Sequence, residues 1–253
     1  MFDIMSRVQK HYDCAVNHYS EDAVLGTFLY GTQNYDCHIE TSDVDTKTIL
    51  VPDIYHLAIA PYKITDLHID KEICSCFSIM QLVSNWKKQS PNNLEILFTP
   101  YFIINPLYEA YWNEFKSTFR ERIARYDIKA GVKTVTHQAL NTLGREDWDG
   151  KTLGNALRLQ YYIEFLINKK EYSYKDCLIP ISFTDEIKEL KEGKKPSANV
   201  RIELLSYFES MLKKEKTLPF EKDTALDKIF DNFIIDLIEQ RLFLINDIDI
   251  TNK

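Results

Sequence analysis

Two carboxylates, Asp43 and Asp45, open the β-prone run "TKTILV", and a short loop upstream Gly31-Thr32 closes the apolar run "TFLY". Side chains at i and i+2 of an extended chain point to the same side, so these like charges repel unless solvent or a divalent cation offsets them. Carboxylates hold Mg²⁺, and Mg²⁺ holds polyphosphates. A glycine followed by a small hydroxyl residue at a strand end leaves backbone N–H groups free of side-chain obstruction, which suits a phosphate. An isolated Asp-x-Asp marks a solvated strand start more often than a metal site. The order strand, Gly-Thr, loop and Asp-x-Asp strand describes a metal–nucleotide site.

The elements that must position these residues change character near residue 105. Before it, β-rich runs dominate at 23–31, 43–51, 62–69 and 71–77, with amphipathic helices at 3–18 and 77–88. Beyond it the periodicity is helical at 106–126, 129–143, 150–170, 183–193, 197–216 and 223–245. Pro106 suits the first turn of its helix and Gly193 suits a helix end. The expectation is an α+β fold in which residues 1–105 carry the aspartates and residues 106–253 form a helical half that completes the cleft. With 253 residues, 45% of them hydrophobic, the chain can bury a substantial core.

The Gly-Thr and Asp-x-Asp pattern resembles the DNA polymerase beta-like nucleotidyltransferases, and within them it is most similar to the RNA-repair-associated (RlaP-like) family. Gly31, Thr32, Tyr35, Ser42, Asp43 and Asp45 fall in that family's register, and Lys47 takes its basic position. The family's next block, a helix ending in Asn-Pro before "LELL", is matched by "FSIMQLVSNWKKQSPNNLEILFTP" (77–100), with Ser90-Pro91 at the turn and Leu94, Glu95, Leu97 and Phe98 after it. A later helix with Lys, His and Arg is matched by "GKTLGNALRLQYYIEFL", which supplies Lys151 and Arg158 and has Asn155 in the His position. The similarity covers residues 20–195. Thr32 replaces a serine and Asp36 replaces a glycine of the family pattern.

The resemblance implies a small mixed nucleotidyltransferase sheet and transfer of a nucleoside monophosphate from an NTP, such as ATP, to an acceptor hydroxyl. Two Mg²⁺ ions, for which Mn²⁺ can stand in, would be held by Asp43, Asp45 and a third carboxylate. Gly31, Thr32 and Ser42 would steady the triphosphate, with Lys47, Lys151, Asn155 and Arg158 completing the nucleotide contacts. Lys151 and Arg158 are two helical turns apart and are expected to look into one cleft. The family register puts the third acid at Ile73. A one-residue bulge would turn the neighbouring Glu72 into that place; Asp66 and Asp70 are poorer candidates. An RNA 3′ end is the acceptor the family suggests, with a protein side chain or a small molecule as alternatives. Without a third acid, the chain is a nucleotide-binding regulatory or interaction protein of the same fold.

Composition limits the other classes. No apolar run approaches the roughly 20 residues of a membrane span, and the N-terminal stretch lacks the pattern of an export signal, so a cytoplasmic protein is expected. Five cysteines without Cys-x-x-Cys spacing point to reduced thiols rather than zinc. A net charge of −7 argues against a protein coated in positive potential for duplex binding. Lys191, Lys194, Lys195 and Arg201 remain as a local basic route for a polyanionic acceptor. Cys74 and Cys76 read as buried small side chains, His137 as a helix-face contact, and the aromatic-rich helices as packing.

Overall fold

Alternating apolar runs in the N-terminal half build one mixed sheet. The structure, a computed structural model, describes residues 3–38, 42–146, 148–168, 184–193 and 197–251. The strands β1 (Val24–Tyr30), β2 (Asp45–Leu50), β3 (Thr65–Ile69), β4 (Glu72–Ser78) and β5 (Phe102–Ile104) lie in the order β3-β4-β2-β1-β5. Only β2 and β4 pair in parallel, which requires a crossover, and the short helix α2 (Ile54–Ala58) and β3 supply it. The β3–β4 hairpin closes on Asp70 and Lys71, with Asp70 at φ 58°.

The pleat sends alternate side chains to two different environments. On one face α1 (Ile4–Tyr19), capped by Asp3, packs Ala15 on Val24, Leu50, Ile69, Cys74 and Cys76, and Val8 on Leu29 and Val44. Cys74 and Cys76 are fully buried there, as their apolar reading expects. On the other face Leu25, Phe28, Ile49 and Phe77 join a core that continues into the helices. Those helices are α3 (Ile79–Lys87), α4 (Pro91–Leu94), α5 (Glu109–Ala124), α6 (Ile128–Leu143), α7 (Gly150–Asn168), α8 (Thr184–Lys191), α9 (Ser197–Lys214) and α10 (Ala225–Thr251). The aromatic residues of the helical half pack there, with the Phe115 and Phe233 rings 3.6 Å apart between centroids. The architecture is therefore α+β, a mixed sheet with flanking helices and a helical C-terminal half.

The start of α5 differs from expectation. Asn105 accepts the Leu107 N–H at 3.0 Å on its side chain and the Tyr108 N–H at 2.9 Å on its carbonyl, so Pro106 sits in a turn and the helix begins at Glu109. Gly193, at φ 72°, follows α8 as a helix end. The buried Arg241 of α10 donates to Asp22 at 2.9 Å and lies 3.6 Å from Asp53, fastening the last helix to the sheet half. Among the described residues no helix is long and apolar enough to cross a membrane.

Candidate functional site

The site begins where β1 ends. Gly31 takes φ 98° and ψ −156°, a conformation open essentially only to glycine, and it turns the chain into the 3₁₀ segment Thr32–Tyr35. Glu95, 1% exposed, holds that turn from below. Its Oε2 accepts the Gly31 N–H at 2.9 Å and an Asn34 side-chain N–H at 3.4 Å. Burial pushes the Glu95 carboxyl up to about 7, against the pull of the Arg158 charge and the Gly31 N–H. The Gly31 N–H, expected to face a phosphate, is thus taken by a side chain. Thr32 is half-buried in the turn, and Gln33 donates through its side chain to the Asp43 carbonyl.

Beside this turn lies a cavity of about 140 Å³. Gly31, Thr32, Gln33, Ser42, Asp43 and Asp45 line it, with Lys151 of α7 and Lys191 of α8. Tyr30 also lines it, because β1–β2 pairing places Tyr30 opposite Asp45. Asp45 is half-buried and its pKa is raised by that burial; the Ile73 N–H at 3.2 Å opposes the rise, Asp43 adds to it, and Lys151 opposes it. Lys191 donates to the Cys37 carbonyl at 2.9 Å, and burial lowers its pKa to about 8. The structure therefore brings together Gly31, Thr32, Ser42, Asp43, Asp45 and Lys151.

Glu72 is a correction. Ile69 pairs with Glu72, His68 with Ile73 and Thr46 with Cys74, so no bulge interrupts β4 at this point. Ile73 consequently lies beside Asp45, and Glu72 projects from the α1 face. There it accepts the Val44 N–H at 2.9 Å, pairs with Arg7 and lies 3.3 Å from His11 Nε2. Burial, with Arg7 and Lys10, lowers the His11 pKa to about 4 and keeps the ring neutral. Asp66 accepts from Ser75 at 2.7 Å and Asp70 pairs with Lys10 at 2.7 Å; neither lines the cavity. Among the described residues no three His, Cys, Asp or Glu side chains are grouped to hold a metal. Asp43 and Asp45, lining one cavity, are the residues that could hold a Mg²⁺ ion; the donor set for a second ion is incomplete.

Lys47 is also displaced from its expected place. It is 7% exposed, donates to Asn93 Oδ1 at 3.1 Å and to the Asn92 carbonyl, and lies over the Tyr30 ring at 4.3 Å. Burial lowers its pKa to about 7. It lines neither cavity and ties β2 to the "SPNN" turn.

Asn155 and Arg158 belong to a second cavity of about 170 Å³, which shares Tyr30, Gly31 and Thr32 with the first. Tyr35, Asn92, Gln138 and Thr142 also line it. Seven residues return to nearly the same helix face but advance about 10 Å along the axis, so Lys151 and Arg158 open into different spaces. Of the other basic candidates, Arg201 donates to the Leu143 carbonyl, and Lys194 and Lys195 lie outside the described residues. His137 bonds the Lys133 carbonyl on an exposed helix face. Sequence reasoning did not place Tyr30, Gln33 or Glu95 in the site; Glu95 stood in the quoted "LEIL" block, and strand pairing alone identifies Tyr30.

Compared with known proteins, the chain matches no family model, and no curated protein matches it.

Proposed function

We propose that the protein is a Mg²⁺-dependent nucleotidyltransferase of the DNA polymerase beta-like type, moving a nucleoside monophosphate from an NTP to an acceptor hydroxyl. The observation that supports this reading is the opening of Asp43, Asp45 and the Gly31-Thr32 turn into one cavity, with Lys151 and Lys191 also on its wall. Asp43 and Asp45 hold the ion, which when bound neutralises phosphate charge and polarises the phosphoryl oxygens. Thr32 and Ser42 line the path of the phosphates. Lys151 and Lys191 offset charge that grows on the leaving group. The acceptor oxygen bonds to the α-phosphorus, the bond from that phosphorus to the bridging oxygen breaks, pyrophosphate departs, and the hydroxyl proton passes to solvent. The chain contributes position and charge and no covalent nucleophile.

A second reading has its own observation. Ile73 beside Asp45, with Glu72 engaged on the far face, favours a protein that binds NTP without turning it over. Incubation with each α-labelled NTP, Mg²⁺ or Mn²⁺, and pools of RNA, protein and metabolites decides between them. Label in an acceptor with stoichiometric pyrophosphate supports transfer. Tight NTP binding without pyrophosphate selects the second reading, and absence of both rejects the nucleotide site.

A further inference from the structure

The second cavity contains a charge that the protein itself leaves without a hydrogen-bonded partner. Arg158 is 7% exposed, and its Nε and Nη1 have no hydrogen-bond partner. Its guanidinium lies 4.3 Å from the centre of the Tyr35 ring, and the Tyr35 hydroxyl is likewise buried without a partner. Burying a guanidinium is costly unless acceptors satisfy its fork of N–H groups. The ring face offsets part of that cost but accepts no proton along those N–H directions. Glu95 is felt electrostatically by Arg158, yet its Oε2 is given to Gly31 and Asn34, its Oε1 is buried without a hydrogen-bond partner, and no ion pair joins the two. What the guanidinium lacks is a bonded, negatively charged acceptor, and a planar oxyanion matches its fork. Around it Asn92, Gln138, Asn155 and Thr142 offer neutral donors and acceptors to the rest of a small polar molecule.

We propose that this second cavity is an oxyanion subsite anchored by Arg158, and that it seats the molecule receiving the nucleotidyl group, a small hydroxy compound bearing a phosphate or a carboxylate. Its assignment to the acceptor rests on the transferase reading above; the anion site itself does not. The two cavities share Tyr30, Gly31 and Thr32 as a common wall, so a hydroxyl on a ligand held at Arg158 is brought to the edge of the nucleotide space. A volume of about 170 Å³ suits a small molecule, and an RNA strand needs an open basic track that the net charge of −7 does not suggest.

The test uses the full chain without Mg²⁺ or nucleotide, titrated calorimetrically with inorganic phosphate in one arm and acetate in the other. One or both anions should bind wild type, and the arm that binds tells phosphate from carboxylate. Arg158→Met should weaken that binding by about tenfold or more, while Lys151→Ala and Asp43→Asn, which alter only the first cavity, should leave it within about twofold. Arg158→Lys, which keeps the charge and loses the fork, should bind at an intermediate strength. Mg²⁺-ATP should then bind alongside the anion. No binding of either anion, binding that survives Arg158→Met, or competitive displacement by Mg²⁺-ATP overturns the proposal; the last outcome returns Arg158 to the nucleotide site. Anion binding that depends on Arg158 in a protein that takes no NTP supports the oxyanion site and rejects the transferase reading alone.

Discussion

The backbone N–H of Gly31 donates to the buried Glu95 Oε2 at 2.9 Å across 64 residues of sequence. That bond joins the strand-end turn, which borders both cavities, to the 3₁₀ turn that follows α4, and it requires the chain to leave β1 at φ 98°. No atom lies within 4 Å of where a Cβ on Gly31 would sit, so a side chain there meets no clash. Conformation alone sets the cost. Gly31→Ala should destabilise the protein by about 1–3 kcal/mol and weaken NTP binding as Thr32 swings away. Denaturant melts and nucleotide titration read both, and an alanine variant as stable as wild type would show that the turn tolerates ordinary residues.

Glu95 gives the same turn a pH dependence. Its carboxyl rises from an ordinary 4.5 to about 7 on folding, so between those values the native state binds the extra proton and stability falls as pH rises through the window. His11 works in the opposite sense, its pKa lowered from 6.5 to about 4, and partly masks this in wild type. Comparing wild type with Glu95→Gln across pH 4 to 8 isolates the carboxyl: the glutamine variant should gain about 3 kcal/mol relative to wild type over that range. Parallel profiles would mean that Glu95 ionises in the folded state as it does in the unfolded chain.

Glu72, placed in a catalytic role by its proximity to the family's third acid, is expected to act on stability. Its carboxylate satisfies the Val44 N–H and faces Arg7 and His11, so Glu72→Gln removes a buried charge that pairs with Arg7 and should cost about 3 kcal/mol. NTP affinity at a permissive temperature should remain that of wild type. A variant that folds as well as wild type and fails to bind or transfer nucleotide would put Glu72 back in the site.

The contrast between Glu72 and Asp45 shows where sequence reasoning reaches its limit. Long apolar periods in α6 and α7 and the β-rich runs before residue 105 are visible in the sequence, and the α+β division follows from them. β5, α2 and α4 span only three to five residues, too short for any period to register, and tertiary contacts define them. Gly31, Thr32, Ser42, Asp43 and Asp45 were legible as a group because one short loop positions them all. Glu72 was not, because a single residue of register reverses a strand side chain and only the pairing with β2 settles it. The helical spacing of Lys151 and Arg158 suggested one cleft, whereas Lys151 lines the first cavity and Arg158 the second.

Asp43 and Asp45 supply the remaining prediction, since they are the carboxylates of the first cavity. Asp45 is held above the ordinary carboxylate range, chiefly by burial and also by Asp43. In the window between its unfolded and folded values the native state binds more protons, so stability falls as pH rises and the charged form at neutral pH costs the ligand-free protein stability. Asp45→Asn removes that cost and should melt at or above wild type at pH 7, with Asp43→Asn close to wild type because Asp43 is exposed. Both variants should lose Mg²⁺-dependent NTP binding, and transfer should fall by about a hundredfold or more as the charge that holds the ion is removed. Thermal melts without nucleotide and NTP titrations at fixed and varied Mg²⁺ separate the two effects. Turnover within about tenfold of wild type in both variants, or NTP affinity that ignores Mg²⁺, would remove the aspartates from the chemistry and leave them as a repelling pair at a strand start.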